Sequence, residues 1–320
     1  MNVKKILCCL AILGLCHQAL ADVPSDAGSR GYKFLQQGIS ARVLALGGAG
    51  TALRGDHGAA YWNPAGLVGL VSDSQTPCGS QISAEHTAWL ADIGYDALGF
   101  AWTIPSGTMA LSGLFQSSGD LPYTASLRDG QYIGVPEPSG TFGVYDGAVW
   151  ASYGRLWNAM RVGGSLRYVY EKIHTATAHA VAVDVGAQYD LGGYTLGAVV
   201  RNLGISSELR EVRTPLPWDA KIGVARTITL PGAIGTVLAT ADLRTAPDAY
   251  ETVHVGAEAR LWNHLALMGG VIAGVAQQVD NQGASVGFGI NWGRLRFDYA
   301  VRWFSHSLGT PHTLALTLHG

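Results

Sequence analysis

Apolar and polar residues alternate along most of the chain, from about residue 81 to the C-terminus. In segment 181–190 the odd positions are Val, Val, Val, Ala and Tyr, whereas the even positions include Asp184 and Asp190. Segment 161–171 repeats the scheme. Because successive side chains of a strand point to opposite faces, this period of two predicts strands with one apolar and one polar face.

The alternation predicts about fourteen strands, an even number, as a closed single-chain barrel requires. Their expected positions are 82–90, 95–104, 108–117, 146–155, 160–171, 179–190, 194–202, 218–228, 235–244, 251–261, 264–273, 284–292, 294–303 and 311–319. Turns after even-numbered strands are short, and those after odd-numbered strands are mostly longer. This parity is expected when one end of a barrel faces the periplasm and the other faces the outside.

A soluble β-sandwich or barrel also alternates, with its apolar face inward. Three observations favour a membrane barrel instead. Only 14% of the residues are charged, and residues 1–21 read as an export signal, with Lys4 and Lys5 before an apolar stretch and Ala19-Leu20-Ala21 at its end. Six aromatic residues lie beside the short turns, where an interfacial girdle belongs: Trp102, Trp157, Tyr189, Tyr194, Trp262 and Trp292.

No run of about 18 apolar residues follows the export signal, which excludes a helical membrane protein. The sequence therefore predicts an all-β transmembrane antiparallel barrel in the outer membrane of a didermal bacterium, surrounded by outer-membrane lipid. Arg226 falls in phase with apolar neighbours, so we expect it near the membrane edge.

Charge and motif content exclude several other classes of function. Lys and Arg number 21 against 23 Asp and Glu, so the chain is no basic nucleic-acid binder. The ten histidines show no metal-binding spacing, and the C-x-x-C and G-x-S-x-G motifs are missing. Gly47-Gly48-Ala49-Gly50 lacks the spacing of a nucleotide-binding loop. The sequence predicts no metal, no cofactor and no enzymatic activity.

Residues 22–80 do not alternate and are rich in small side chains. Two stretches within them, ARVLALGGAGTAL (41–53) and AAYWNPAGL (59–67), resemble the N-terminal signature of the PorV/PorQ group of outer-membrane proteins, which is similar to the FadL long-chain fatty-acid transporter family. Blocks such as HVGAEARL (254–261) continue the resemblance along the chain. It implies a fourteen-stranded barrel at 81–320, with residues 22–80 plugging its lumen as a hatch.

The resemblance also implies that Asn63-Pro64-Ala65, followed by Gly66, holds the hatch in place. Candidate contacts for a hydrophobic ligand between the hatch and the barrel wall are Leu44, Leu46, Tyr61, Trp62 and Leu67. The polar face of the strands carries the expected lumen charges Arg167, Asp184, Arg201, Glu258, Arg296 and Asp298. Because both signs alternate around the ring, we expect these charges to pair with one another and to anchor the hatch.

Two functions remain open at this point. The first is uptake of hydrophobic small molecules, such as long-chain fatty acids, through the hatch-plugged lumen. The second is a PorV-like, non-transporting role, in which the extracellular loops receive a protein-secretion partner. The longest loop, 118–145, contains Tyr123, Tyr132, Pro136 and Pro138 and is the candidate surface. Nothing in the sequence separates the two functions.

The predicted orientation of the strands has a direct consequence for substitutions. Val255 lies near the middle of a strand on the apolar face, and Gly256 lies on the polar face. A charge at the bilayer midplane costs about 2–4 kcal/mol. We therefore expect Val255→Arg to block insertion and Gly256→Ser to be tolerated.

Overall fold

A closed β-barrel accounts for most of the chain. The computed structural model describes residues 26–70, 79–91, 93–122, 127–128, 131–132, 140–275, 282–304 and 309–320. Within these residues, fourteen antiparallel strands close into the barrel. They are β1 (Ser80–Ala88), β2 (Gly94–Ile104), β3 (Gly107–Ser117), β4 (Val144–Trp157), β5 (Met160–Ile173), β6 (Ala176–Leu191), β7 (Tyr194–Ser206), β8 (Asp219–Thr229), β9 (Gly235–Ala246), β10 (Ala249–Leu261), β11 (Leu265–Gly274), β12 (Gly283–Trp292), β13 (Leu295–Phe304) and β14 (His312–His319). All fourteen predicted strands are confirmed, with ends that move by a few residues.

Each strand pairs with its neighbours in sequence, and β1 pairs with β14 to close the barrel, with Gln81 opposite His319. One irregularity interrupts the β6–β7 ladder. There the register shifts between Val183 and Val185, so that Arg201 and Asn202 together lie opposite Asp184. This is a β-bulge, and Asn202 accommodates it with a φ of 58°.

The two faces of the strands differ as the sequence predicts. On β6, Val181, Val183 and Val185 are 45%, 41% and 60% exposed, whereas Asp184 between them is 1% exposed. Charged side chains therefore point into the lumen and apolar ones point outward. This arrangement is the reverse of a soluble barrel and suits a surface that meets lipid.

Among the described residues, no helix is both long and apolar enough to cross a membrane.

The two ends of the barrel carry different connections. At one end, called here the short-turn end, the turns are 105–106, 158–159, 192–193, 230–234, 262–264 and 293–294. Trp157, Trp262 and Trp292 project outward there. At the opposite, long-loop end, connections extend to 118–143 and 207–218. Three pairs of two-residue strands lie in these two loops: Leu121–Pro122 with Thr141–Phe142, Leu127–Arg128 with Gln131–Tyr132, and Glu208–Leu209 with Val212–Arg213.

The chain before β1 forms short helices rather than strands. They are a 3-10 turn (Lys33–Gln36), α1 (Ala41–Ala45), α2 (Ala59–Trp62) and a second 3-10 turn (Pro64–Leu67); a further 3-10 turn, Pro231–Ala233, lies after β8. Gly47 and Gly48 follow α1 with positive φ angles, which ends the helix. Asn63 is extended because it precedes Pro64, and α2 stops there.

This N-terminal segment (residues 26–70) passes through the barrel. The N–H of Gly31 donates to the carbonyl of Pro215, 3.2 Å away, in a loop at the long-loop end. By contrast, β1 begins at Ser80 opposite Trp102, at the short-turn end. Most side chains between residues 32 and 67 are buried. The chain therefore crosses the lumen from end to end before the first barrel strand begins.

Candidate functional site

The N-terminal segment bonds to the inner wall on several sides. Four wall side chains, from β1, β6, β9 and β12, form hydrogen bonds with its backbone or with a hydroxyl group. Glu85 accepts from the N–H groups of Ser40 and Ala41 at 2.8 and 3.1 Å, and Gln188 donates to the carbonyls of Thr51 and Leu53 at 3.0 and 2.8 Å. Asp242 accepts from the Thr51 hydroxyl at 2.7 Å, and Ser285 accepts from the N–H of Gly47 at 3.1 Å. Since these strands are spread around the barrel, the segment is held from opposite directions.

Asn63 of the expected hatch motif is completely buried. Its Oδ1 accepts from the N–H of Ala65 at 3.1 Å, and its Nδ2 donates to the carbonyl of Thr51 at 2.7 Å. Nδ2 also lies 3.4 Å from the carbonyl oxygens of Ala187 and Ala198, on β6 and β7. The side chain thus links two parts of the N-terminal segment to each other and to the wall.

Glycines on the inner face allow the segment to lie directly on the strands. A Cβ at Gly163 would overlap the backbone of Pro64 and Ala65, and a Cβ at Gly270 would overlap the backbone of Gly47. Gly256 is a third case, because a Cβ there would lie 2.5 Å from the carbonyl oxygen of Leu46. The expectation that Gly256→Ser is tolerated is therefore wrong, since the lumen at this position is filled by the N-terminal segment.

The five candidate ligand contacts are all buried: Leu44, Leu46, Tyr61, Trp62 and Leu67. Tyr61 donates its hydroxyl to the carbonyl of Leu35 at 2.7 Å, and the indole N–H of Trp62 donates to the carbonyl of Ile39 at 2.7 Å. In this conformation, these side chains pack the interior of the segment against the wall.

The six expected lumen charges are paired. Arg167 binds Asp184 at 2.8 Å, Arg201 binds Asp219 through two hydrogen bonds of 2.9 and 2.7 Å, Arg296 binds Asp298 at 2.7 Å, and Glu258 binds Arg42 at 2.6 Å and Arg260 at 2.9 Å. Three members of these pairs lie outside the six expected charges: Asp219, Arg42 and Arg260. The Arg42–Glu258 pair joins α1 to the wall, so the charges form a network that includes the N-terminal segment.

Aromatic rings connect the charges to the candidate ligand contacts. The guanidinium of Arg201 lies 4.9 Å from the ring centre of Tyr61 and 5.5 Å from that of Trp62. Arg167 lies 4.7 Å from the ring centre of Trp150. These distances allow cation–π attraction, which is strongest when the groups are shielded from water. Arg167 and Arg201 therefore form one buried cluster with Tyr61 and Trp62.

His57 provides a titratable contact between the segment and β1. Its Nε2 hydrogen-bonds to the Ser83 hydroxyl and lies 3.6 Å from Oε1 of Glu85. Burial lowers the pKa of His57, but Glu85, with Asp56 and Asp298, outweighs it and holds the pKa above its ordinary value. Both Ser83 and Glu85 approach the same ring nitrogen, whereas a nucleophile–base–carboxylate triad uses both nitrogens.

A cavity of about 960 Å³ lies beside the N-terminal segment at the short-turn end. Its ionisable lining residues are Arg42, Arg54, Arg161, Arg260, Arg296, Asp56, Glu85, Asp190, Glu258, Asp298, His57 and His319. Many of these are paired; for example, Arg161 binds Asp190 at 2.7 and 3.0 Å. None of the five candidate ligand contacts lines this cavity. The many charged groups in its lining favour water over an apolar compound.

Sequence reasoning missed several residues that complete the site: Arg42, Asp56, His57, Glu85 and Trp150. Arg42 lies inside the stretch quoted for the family resemblance, which is the signal that pointed to it. The others belong to segments whose partners depend on the path of the chain through the lumen. Arg226 lies on the outer face as expected, where it donates to the Tyr194 hydroxyl at 2.7 Å.

Some sequence predictions fall outside the described residues. They are the export signal at 1–21, residues 22–25 and 71–78 of the expected hatch, and the loop residues Tyr123, Pro136 and Pro138; the side chain of Tyr132 is also outside. In the part of the chain that the structure describes, no group of three or more His, Cys, Asp or Glu residues is placed to hold a metal ion.

Comparisons with known proteins give a consistent fold. No protein-family model matches the sequence, and no curated protein matches it. Similar solved structures include the toluene transporter TbuX of Ralstonia pickettii, 14% identical with a TM-score of 0.60 over 89% of this chain and 99% of that chain. Another is the toluene transporter TodX of Pseudomonas putida, 12% identical with a TM-score of 0.61 over 89% of this chain and 99% of that chain.

A third similar structure is the CymD monoaromatic hydrocarbon channel, 11% identical with a TM-score of 0.56 over 88% of this chain and 96% of that chain. At these identities, the likeness establishes the fold. The chain is a closed fourteen-stranded barrel of the bacterial outer-membrane type, and its place is the outer membrane.

Proposed function

We propose that this barrel carries hydrophobic small molecules across the outer membrane, with the N-terminal segment acting as a hatch that closes the lumen. The observation that carries the proposal is the buried segment inside a closed barrel whose fold matches two toluene transporters and a hydrocarbon channel over nearly their whole lengths. These neighbours are transporters and channels, which favours a transport role over catalysis.

The interior supports an apolar cargo. Phe34, Leu35 and Ile39 of the segment are at most 3% exposed and belong to one apolar cluster with Leu114 and Val169 of the wall. If the segment shifts, these surfaces separate and expose an apolar pocket. Leu44, Leu46, Tyr61 and Trp62 belong to the same cluster and would line this space, whereas Leu67 lies in a second apolar cluster with Ala101 and Ala110 of the wall.

Charge favours an uncharged cargo over a fatty acid. The cations nearest to Tyr61 and Trp62 are Arg201 and Lys221. Arg201 is bound to Asp219, and Lys221 donates to the carbonyl of Gly48 at 3.1 Å. A carboxylate would have to displace Asp219 to bind Arg201, and Lys221 is the remaining cation that it could approach. A monoaromatic hydrocarbon needs no such exchange.

The proposal is tested by measuring uptake in a didermal host that lacks its own hydrocarbon channels. Cells producing the protein should accumulate radiolabelled toluene faster than cells producing an unrelated outer-membrane barrel at equal abundance. Labelled oleate, offered to the same cells, distinguishes the fatty-acid cargo. Toluene and oleate entry both equal to the control would overturn the proposal, and oleate entry alone would assign the site to carboxylates.

The non-transporting role in protein secretion stays a prediction. Its candidate surface, loop 118–145, lies partly outside the described residues. Removing residues 124–140 and measuring both partner capture and toluene uptake would separate the two functions.

A further inference from the structure

Three oxygen-bearing side chains form a row across adjacent strands near the long-loop end. Gln116 of β3 lies directly opposite Asp146 of β4, and Asp146 lies directly opposite Glu171 of β5. Gln116 and Asp146 are 9% and 6% exposed on the lumen side, and Glu171 is partly buried beside them. Directly opposite side chains have Cβ atoms about 4.5–5.5 Å apart, so the three groups share one small space.

The two carboxylates differ from most other buried acids of the lumen. Asp184, Asp219, Asp248, Glu258 and Asp298 each have a cationic partner. Among the described residues, neither Asp146 nor Glu171 forms an ion pair. Gln116 donates its Nε2 to Oδ2 of Asp146 at 3.1 Å, and the backbone of Tyr32 lies near Glu171. Two negative charges therefore lie side by side without a positive one.

Two buried oxygens in this row have no hydrogen-bond partner. They are Oδ1 of Asp146 and Oε1 of Gln116. A buried polar atom without a partner costs free energy, and like charges directly opposite each other in a sheet repel. A bound cation would remove both problems, because it would neutralise the carboxylates and coordinate the unpartnered oxygens.

We propose that Gln116, Asp146 and Glu171 bind a divalent metal cation, with calcium as the best fit. All three supply oxygen, the ligand atom that hard cations prefer, and Ca²⁺ accepts six to eight oxygens in flexible geometry. Mg²⁺ requires near-ideal octahedral geometry, whereas the flexible coordination of Ca²⁺ better accommodates three ligands whose positions are set by the sheet. Water can complete the coordination sphere. With only two carboxylates, the expected Kd is about 10⁻⁴–10⁻³ M, typical of extracellular calcium modules.

Sequence patterns do not predict this site, because its ligands lie on three strands and follow no local spacing. The bound ion would join β3, β4 and β5 to Tyr32, at the start of the buried part of the N-terminal segment. The proposal does not depend on hydrocarbon transport, so each can fail while the other stands.

The test uses the full-length barrel purified in detergent and stripped with a chelator. Terbium, a luminescent substitute for calcium, is added and its emission is excited through nearby aromatic rings such as Tyr95, which lies directly opposite Gln116. We expect one saturable site from which calcium displaces terbium. Asp146→Asn and Glu171→Gln, which keep the shape of each side chain, should each weaken binding at least tenfold.

Asp190→Asn is the matched control, because Asp190 is bound to Arg161 at the opposite end of the lumen; its terbium binding should equal that of the wild type. Heat-modifiable migration on unboiled gels verifies folding of each variant. The alternative is a proton shared by the two carboxylates. Wild-type protein that binds no terbium, together with a higher melting temperature of Asp146→Asn at neutral pH in chelator, would overturn the metal site in favour of that proton.

Discussion

Asn63 of the N-terminal segment lies against Gly186 of β6 with no space for a side chain between them. A Cβ at Gly186 would overlap the Oδ1 of Asn63. The buried amide can reach the carbonyl oxygens of β6 and β7 because Gly186 has no side chain at this point of the wall. The position of Asn63 therefore depends on a glycine at residue 186 of the wall.

Gly186→Val should therefore displace Asn63 and loosen the N-terminal segment while the barrel stays closed. Extra atoms in a packed interior cost about 1–3 kcal/mol, and the ladder hydrogen bonds of β6 do not require a glycine. We expect a higher single-channel conductance in planar bilayers. Gly113→Val is the control, since a Cβ at Gly113 meets nothing closer than 3.8 Å. Equal conductance of the two variants would show that the Asn63 contact does not hold the segment.

A charge on the outer face should block insertion, whereas a charge in the lumen should not. Val255 is 44% exposed near the middle of β10, and Arg at the bilayer midplane costs about 2–4 kcal/mol. Val255→Arg should reduce the heat-modifiable form in outer membranes. Thr236→Arg, in the polar cavity at the short-turn end, replaces Gly256→Ser as the control and should insert normally. Normal insertion of both variants would contradict the outward apolar face.

His57 should make the stability of the barrel depend on pH. Its pKa is raised in the folded protein, so its contribution is fully present below its ordinary pKa of about 6.5 and is lost as the pH rises through the elevated value. The groups that face it are Glu85, Asp56 and Asp298, with Ser83 hydrogen-bonded to the ring. The melting temperature of the wild type relative to His57→Gln should therefore fall above pH 6.5. If the difference in melting temperature between the wild type and His57→Gln does not change with pH, titration of His57 does not contribute to stability.

The amino-terminal end of the described chain should be accessible from outside the cell. Ala27 is exposed at the long-loop end, close to the loop that holds Gly31. In a Cys78→Ser background, Ala27→Cys should react with a membrane-impermeant maleimide in intact cells. Ser106→Cys, in a short turn at the other end, should react only after the outer membrane is permeabilised. The reverse pattern of labelling would show that the long-loop end faces the periplasm.

The barrel could be predicted from the sequence because each strand is recognisable from the alternation of its own residues. Alternation assigns Val183 and Asp184 to opposite faces without knowledge of any partner, and the length of each turn assigns the two ends. The lumen charges could be listed for the same reason. Their partners could not, because pairs such as Arg42 with Glu258 are 216 residues apart in sequence and depend on the path of the N-terminal segment.

Gly256 is a second case in which the sequence does not reveal what a residue contacts. Its position on the polar face was predicted correctly, but the consequence drawn from it was wrong. A polar face implies water only where the lumen is empty, and at Gly256 the backbone of Leu46 fills it. Periodicity describes the strand and says nothing of what lies across from it.

The path of the N-terminal segment sets an order for assembly. Residues near Gly31 lie at the long-loop end, and β1 starts at the opposite end. We therefore expect the chain to run through the ring before β1 and β14 join, because the glycines of the inner wall are covered only when the N-terminal segment lies against them. In that order of events, biogenesis is a wrapping process. The sheet curls around the N-terminal segment, and the pairing of β1 with β14 then encloses it.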